Sequence, residues 1–220
     1  MYLDDTHHAV CMDARATERR GTVELFTRWH TWDTARADIT ASAVPLDADA
    51  LDRAVAAARR WHGDQQRPTG APYLEHLLEA LEVLVRGAGV TAPAVLTAAI
   101  LHDVVEDTPA TLPDVEAEFG PKVTELVDWV TKPPAPGAGR QAKRAAKAAY
   151  LRRLGDAPPE AILVKLADRV SNVQTLDRMP LDFQRRYYAE TLTYIIPLAD
   201  PHPWFSAWYA SWRTRFAHLL

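Results

Sequence analysis

One cysteine, Cys11, in 220 residues leaves no partner for an intrachain disulfide and excludes cysteine-rich zinc sites, in keeping with a reducing cytoplasm. No apolar run comes near the roughly 20 residues that a membrane-spanning helix requires. The acidic, polar start from Met1 to His8 lacks the basic and hydrophobic regions of a signal peptide. Positive charge is in deficit. With 25 Lys and Arg against 29 Asp and Glu the net charge is −4, and the basic face by which duplex nucleic-acid binders are known is missing. Strand-period alternation and internal repeats are also absent. Apolar positions instead recur at helical spacing in segment after segment, so an all-α fold is expected. A hydrophobic share of 48% and a charged share of 25% are those of an ordinary globular chain, long enough for one well-filled domain and a terminal extension.

The chain divides into three parts. Residues 1–45 read as a weakly organised extension with one docking helix, whose stripe is Leu25, Trp29 and Trp32. His7, His8, Cys11 and His30 lie there without any ligand spacing. Residues 46–200 carry the main domain. Asp47 caps a first helix, and the stretch from His62 to Tyr73, with two glycines and two prolines, must be a loop. Helix resumes at Tyr73 and contains His76; another apolar helix runs from Pro93 to Leu101. Thr111 and Asp114 make a capping box, and Gly120-Pro121 separates two further helices. The helix from Arg140 to Leu154 is strongly basic, either as solvated surface or as an attractor for an anionic substrate. In residues 201–220, Trp204, Trp208 and Trp212 at four-residue spacing mark an aromatic helix packed on the domain, and any exposed part of it would serve a homo-oligomer.

The chemistry concentrates at the end of the apolar run from Thr97 to Leu101, where His102, Asp103, Glu106 and Asp107 follow within six residues. At about 100° per residue His102 and Glu106 share one helical face, with Asp103 and Asp107 beside them. Several ionisable groups at the end of a buried segment are costly to desolvate unless a cation or a substrate compensates. Asp168 and Asn172, four apart, share a face of another apolar helix; the plain explanation of that aspartate is an ion pair with Lys165 or Arg169. Together His76, His102, Asp103 and Asp168 offer two imidazoles and two carboxylates from three helices, a donor set suited to one divalent ion such as Mn²⁺, Fe²⁺, Co²⁺ or Ni²⁺. Such an ion acidifies water from a pKa of 15.7 to roughly 7 and polarises a phosphoryl oxygen. Glu106 and Asp107 stand one turn beyond, placed to orient the water and move its proton. Asn172 is placed either to contact a substrate oxygen or to hold a ligand carboxylate.

These residues resemble the RelA/SpoT-type hydrolase domain of the HD superfamily. The resemblance runs from about Asp47 to Ala199. It rests on His62-Gly-Asp-Gln-Gln-Arg67-Pro-Thr-Gly-Ala-Pro-Tyr73-Leu-Glu-His76, His102-Asp103-Val-Val-Glu106-Asp107-Thr, Glu118-Phe-Gly, Val130-Thr-Lys, Lys165-Leu-Ala-Asp168-Arg-Val-Ser-Asn172 and Glu190-Thr-Leu. It implies an HD-domain helical bundle that removes the 3′-pyrophosphate of (p)ppGpp, with His76, His102, Asp103 and Asp168 holding one divalent ion, usually Mn²⁺. By the same resemblance Glu106 and Asp107 serve the hydrolytic water, while Arg67, Thr69 and Asn172 contact the nucleotide, Arg67 lying against the guanine. Two positions depart from the family pattern: Pro68 replaces a charged or polar neighbour of that arginine, and Leu77 follows His76 where proline is common. The expected partner is therefore a small nucleotide, with neither nucleic acid nor membrane. Two other readings compete: an HD phosphohydrolase acting on a different nucleotide or phosphorylated cofactor, which Pro68 keeps open, and a non-catalytic nucleotide-sensing module, against which the retained ligands and proton-handling carboxylates argue.

Overall fold

The structure is a computed structural model that describes residues 23–220 apart from 136 and 138. His7, His8 and Cys11 lie outside the described residues, and His30 is exposed. Apart from one isolated bridge between Gln66 and Pro72, the ordered backbone is helical. The helices are α1 (Trp32–Ala41), α2 (Ala48–His62), α3 (Tyr73–Glu82), α4 (Pro93–Leu101), α5 (Val104–Asp107), α6 (Leu112–Val130), α7 (Arg140–Arg153), α8 (Pro159–Val173), α9 (Leu181–Glu190), α10 (Ile196–Ala199) and α11 (Pro203–Arg215). No helix among them is long and apolar enough to cross a membrane.

Local sequence explains most boundaries. The Asp47 carboxylate accepts from Ala50 N at 2.9 Å to open α2, and Asp114 Oδ2 accepts from Thr111 N at 2.8 Å in the capping box of α6. Gly120 separates two helical stretches, as the sequence predicts: its φ of 79° and ψ of 171° are non-helical and cost glycine little, so α6 is two helices joined across a kink. The core lies where α3, α4 and α8 meet, with α4 also packed on α2 and α6. Every residue of α4 from Val95 to Leu101 is buried, so this helix shows no polar face, as its composition requires.

The docking helix at the start is shorter than the stripe predicts. Residues 23–31 are irregular, α1 begins only at Trp32, and Leu25 is 44% exposed whereas Trp29 and Trp32 are buried. Hydrogen bonding, more than periodicity, places this segment. Gln174, buried in the core, accepts from Phe26 N at 2.7 Å and donates to Phe26 O at 3.1 Å. The fully buried carboxylate of Glu82 accepts from Arg28 N at 3.0 Å and Trp29 N at 3.1 Å and pairs with Arg86. The aromatic α11 closes over the same region: Trp208 Nε1 donates to Glu24 O, Trp212 Nε1 to Val173 O, and the Tyr209 hydroxyl to Leu166 O. Residues 23–45 and the C-terminal helix thus share one core with the domain between them. Glu82→Ala is expected to release the segment, since two orphaned backbone N–H groups cost about 1–3 kcal/mol each. Hydrogen exchange at Arg28 and Trp29 should accelerate together with a drop in Tm; slow exchange at both amides would show that packing alone holds them.

Candidate metal centre

Three helices and one helix junction build the site. α3 supplies His76, α8 supplies Asp168, and α4 delivers the chain to His102 and Asp103. The predicted unbroken helix through this motif is corrected by the structure. α4 stops at Leu101, His102 and Asp103 form a tight turn, with Asp103 at φ −103° and ψ −3°, and α5 starts anew at Val104.

His76 Nε2 and His102 Nε2 face each other at 3.2 Å. Asp103 Oδ2 lies 3.4 and 3.1 Å from these two nitrogens, and Asp168 Oδ1 lies 3.4 and 3.6 Å from them. Ligand atoms of His76, His102 and Asp103 all fall within 4.8 Å of one another. Both imidazoles and Asp168 are buried. His102 Nδ1 is 2.8 Å from Ala99 O, which can only accept, so the proton sits on Nδ1 and the Nε2 lone pair points inward. Opposed lone pairs flanked by two carboxylates repel unless a cation or proton lies among them, so the donor set fits a divalent ion.

The electrostatics express the same demand. Burial works against charge on His76, yet its hydrogen bonds to Asp103 and Asp168 outweigh that and hold its pKa up. His102 is likewise raised well above the ordinary range, against burial, by Asp103. Burial pushes the two carboxyls up, but His102 holds Asp103 and Lys165 holds Asp168 well below the usual carboxylate range. Asp168 answers to both explanations weighed for it: Oδ2 pairs with Lys165 Nζ at 2.7 Å while Oδ1 faces the imidazoles. Arg169 turns to Glu190 instead, at 2.8 Å.

A cavity of about 220 Å³ opens on this cluster. Glu106 and Asp107 line it without approaching the imidazoles as Asp103 does: Glu106 pairs with Lys132, and Asp107 Oδ2 accepts from the Tyr73 hydroxyl at 2.8 Å. Asn172 lines it too, and its Nδ2 donates to Asp168 Oδ1, bracing that carboxylate. Arg67 and Thr69 stand apart. Thr69 is exposed in the tight turn of residues 67–70, and Arg67 Nη1 is committed to Glu79 Oε2 at 3.0 Å. Sequence reasoning gave no site role to Tyr73, whose hydroxyl bridges Asp103 and Asp107, nor to Lys132, whereas Lys147, which also lines the cavity, belongs to the basic helix weighed as an attractor for an anionic substrate. Burial and the neighbouring Asp103 keep the Tyr73 phenol protonated. Its position three residues before His76, on the same helical face, was the available signal.

A family profile described as "HD domain" matches residues 54–204. The chain belongs to the HD domain family. HD domains are metal-dependent, and the His-His-Asp cluster of this one has the disposition to bind a metal. The relatives of this HD chain are of the RelA/SpoT kind. It is 39% identical over 152 residues to a GTP pyrophosphokinase of Streptomyces coelicolor, covering 68% of this chain and 17% of that protein. It is 35% identical over 159 residues to a guanosine-3′,5′-bis(diphosphate) 3′-pyrophosphohydrolase of Aquifex aeolicus, covering 70% of this chain and 22% of that one. The chain therefore spans about a fifth of the length of these curated relatives. Among solved structures, a metazoan SpoT ortholog described as hydrolysing ppGpp superposes with a TM-score of 0.69 at 27% identity, covering 81% of this HD chain and all of the other.

Proposed function

We propose that the chain is a metal-dependent hydrolase that removes the 3′-pyrophosphate of (p)ppGpp, with Mn²⁺ as its ion and the cytoplasm as its compartment. The observation that carries this reading is the convergence of two inward imidazole lone pairs and two carboxylates at the floor of a cavity lined by cations. His76, His102, Asp103 and Asp168 would hold the ion, which supplies Lewis acidity toward water and a phosphoryl oxygen. The other residues of the cavity handle protons and charge. Glu106 and Asp107 take the water's proton or orient it, the Tyr73 hydroxyl fixes Asp107, and Lys132 sits beside Glu106 to meet phosphate oxygens.

Charge balance supports a polyanionic substrate. Asp103, Glu106, Asp107 and Asp168 on the cavity wall are matched by Lys132, Lys147, Lys165 and Arg169, so a divalent ion leaves the cavity net positive. Lys165 is half-buried and still charged, held so by Asp168, and Lys147 pairs with Glu190 at 2.7 Å. Support for guanine as the base is weaker in this chain than in the family pattern. Arg67 is engaged by Glu79 and Pro68 follows it, which favours, as a second reading, another phosphorylated nucleotide or cofactor.

Incubating the full chain with Mn²⁺ and a nucleotide panel that includes ppGpp separates these readings. Pyrophosphate released from ppGpp is the expected result. Orthophosphate from other nucleotides, with ppGpp untouched, would replace the first reading by the second. Tight binding without any product would make the chain a sensor.

A further inference from the structure

His102 is oriented by a backbone carbonyl, whereas His76 is oriented by a chain of side chains. His76 Nδ1 lies 2.8 Å from Ser171 Oγ, and Ser171 Oγ lies 2.5 Å from Glu79 Oε2. The same Glu79 oxygen accepts from Arg67 Nη1 at 3.0 Å. Ser171 is 1% exposed and Glu79 is 8% exposed, so neither answers to bulk water. A serine hydroxyl has one proton, and an ionised carboxylate can only accept. With Glu79 paired to Arg67 and ionised, the Ser171 proton goes to Glu79, and Ser171 Oγ is left to accept from His76 Nδ1–H. The lone pair of His76 is thereby confined to Nε2, the atom that faces His102 and the two carboxylates. The placement is regular: Glu79 stands three residues after His76 on α3, and Ser171 three residues after Asp168 on α8. Each of these two residues thus lies one helical turn after an expected ligand on its own helix, and both act on His76.

We propose that Ser171 and Glu79, with Arg67 holding Glu79, are positioning residues that lock the Nδ1–H form of His76 and strengthen its Nε2 as a donor to the divalent ion. Arg67 belongs to the loop between α2 and α3, so this relay also ties the loop to a metal ligand. The proposal rests on the metal-site reading above but not on the identity of the nucleotide.

The test is a titration of the metal-free full chain with Mn²⁺, accompanied by nitrogen–proton correlation spectra of the histidine rings in the diamagnetic Zn²⁺-loaded form. Ser171→Ala is expected to weaken Mn²⁺ binding about 10- to 100-fold and to lose the bonded Nδ1–H signal of His76 while that of His102 persists. Ser171→Thr, which keeps a hydroxyl, is expected to restore both. Arg67→Ala, acting through Glu79, is expected to weaken binding less than Ser171→Ala. Should Ser171→Ala fail to fold by circular dichroism, Glu79→Gln takes its place, because a neutral amide no longer forces the serine proton away from His76. Wild-type Mn²⁺ affinity with an unchanged His76 signal, in whichever of these two variants is folded, overturns the relay. A wild-type chain that takes up no divalent ion at all overturns the metal-site reading itself.

Discussion

Asp103→Asn is expected to empty the metal site and remove turnover in the same step. Asp103 Oδ2 lies 3.4 Å from His76 Nε2 and 3.1 Å from His102 Nε2, so its charge is central to the cluster. The asparagine keeps the size and an oxygen for the Tyr73 hydroxyl, but its neutral oxygen is a poor donor to a hard cation and its amide can present N–H to the ion. A bound ion contributes several kcal/mol of transition-state charge stabilisation, which at 1.36 kcal/mol per tenfold corresponds to about 10³-fold or more in rate. Metal content of the purified variant and its rate on ppGpp at saturating Mn²⁺ check the two halves. A variant that retains the ion and the rate would remove Asp103 from the ligand set. A large fall in Tm without added metal would mean that the substitution acts on the fold.

What the sequence revealed of this centre follows from distance along the chain. Spacing within a helix identified the clustered acids after His102 and the Asp168–Asn172 pair, and caps such as Asp47 and Thr111 were readable because their partners lie three residues away. The turn at His102-Asp103 was not readable from periodicity, since its residues keep near-helical torsions while the hydrogen-bond ladder breaks. Leu25 misled for a related reason. A stripe records spacing, whereas the N-terminal segment is placed by buried Gln174 and Glu82, partners 148 and 54 residues away from the amides they accept from. Arg67 shows the limit of a motif. Its loop is in place, with Arg67 N bonded to Ala71 O, yet its guanidinium is claimed by Glu79, a residue that belongs to no motif quoted for the resemblance.

The second large effect is expected at Glu106, and it separates proton handling from metal holding. Glu106→Ala should lower turnover by about 10²- to 10⁴-fold, the usual contribution of a positioned general acid or base, while the ion stays bound. The geometry supports the separation: Glu106 lines the cavity but pairs with Lys132 N at 3.1 Å and with the Lys132 ammonium, and the donors that surround the imidazoles are Asp103 and Asp168. Its removal also frees Lys132, so part of the loss could come from altered phosphate contacts. Lys132→Ala distinguishes the two, because a role in phosphate binding raises KM whereas loss of proton transfer lowers kcat at unchanged KM. Asp107→Asn belongs in the same series. Tyr73 ties Asp107 to Asp103 through one hydroxyl, so a substitution at Asp107 also loosens a ligand and should cost some metal affinity in addition to rate. If metal analysis found the Glu106 variant empty and the Asp107 variant full, the roles assigned to the two carboxylates would have to be exchanged, with Lys132 then holding a ligand in place of a proton carrier.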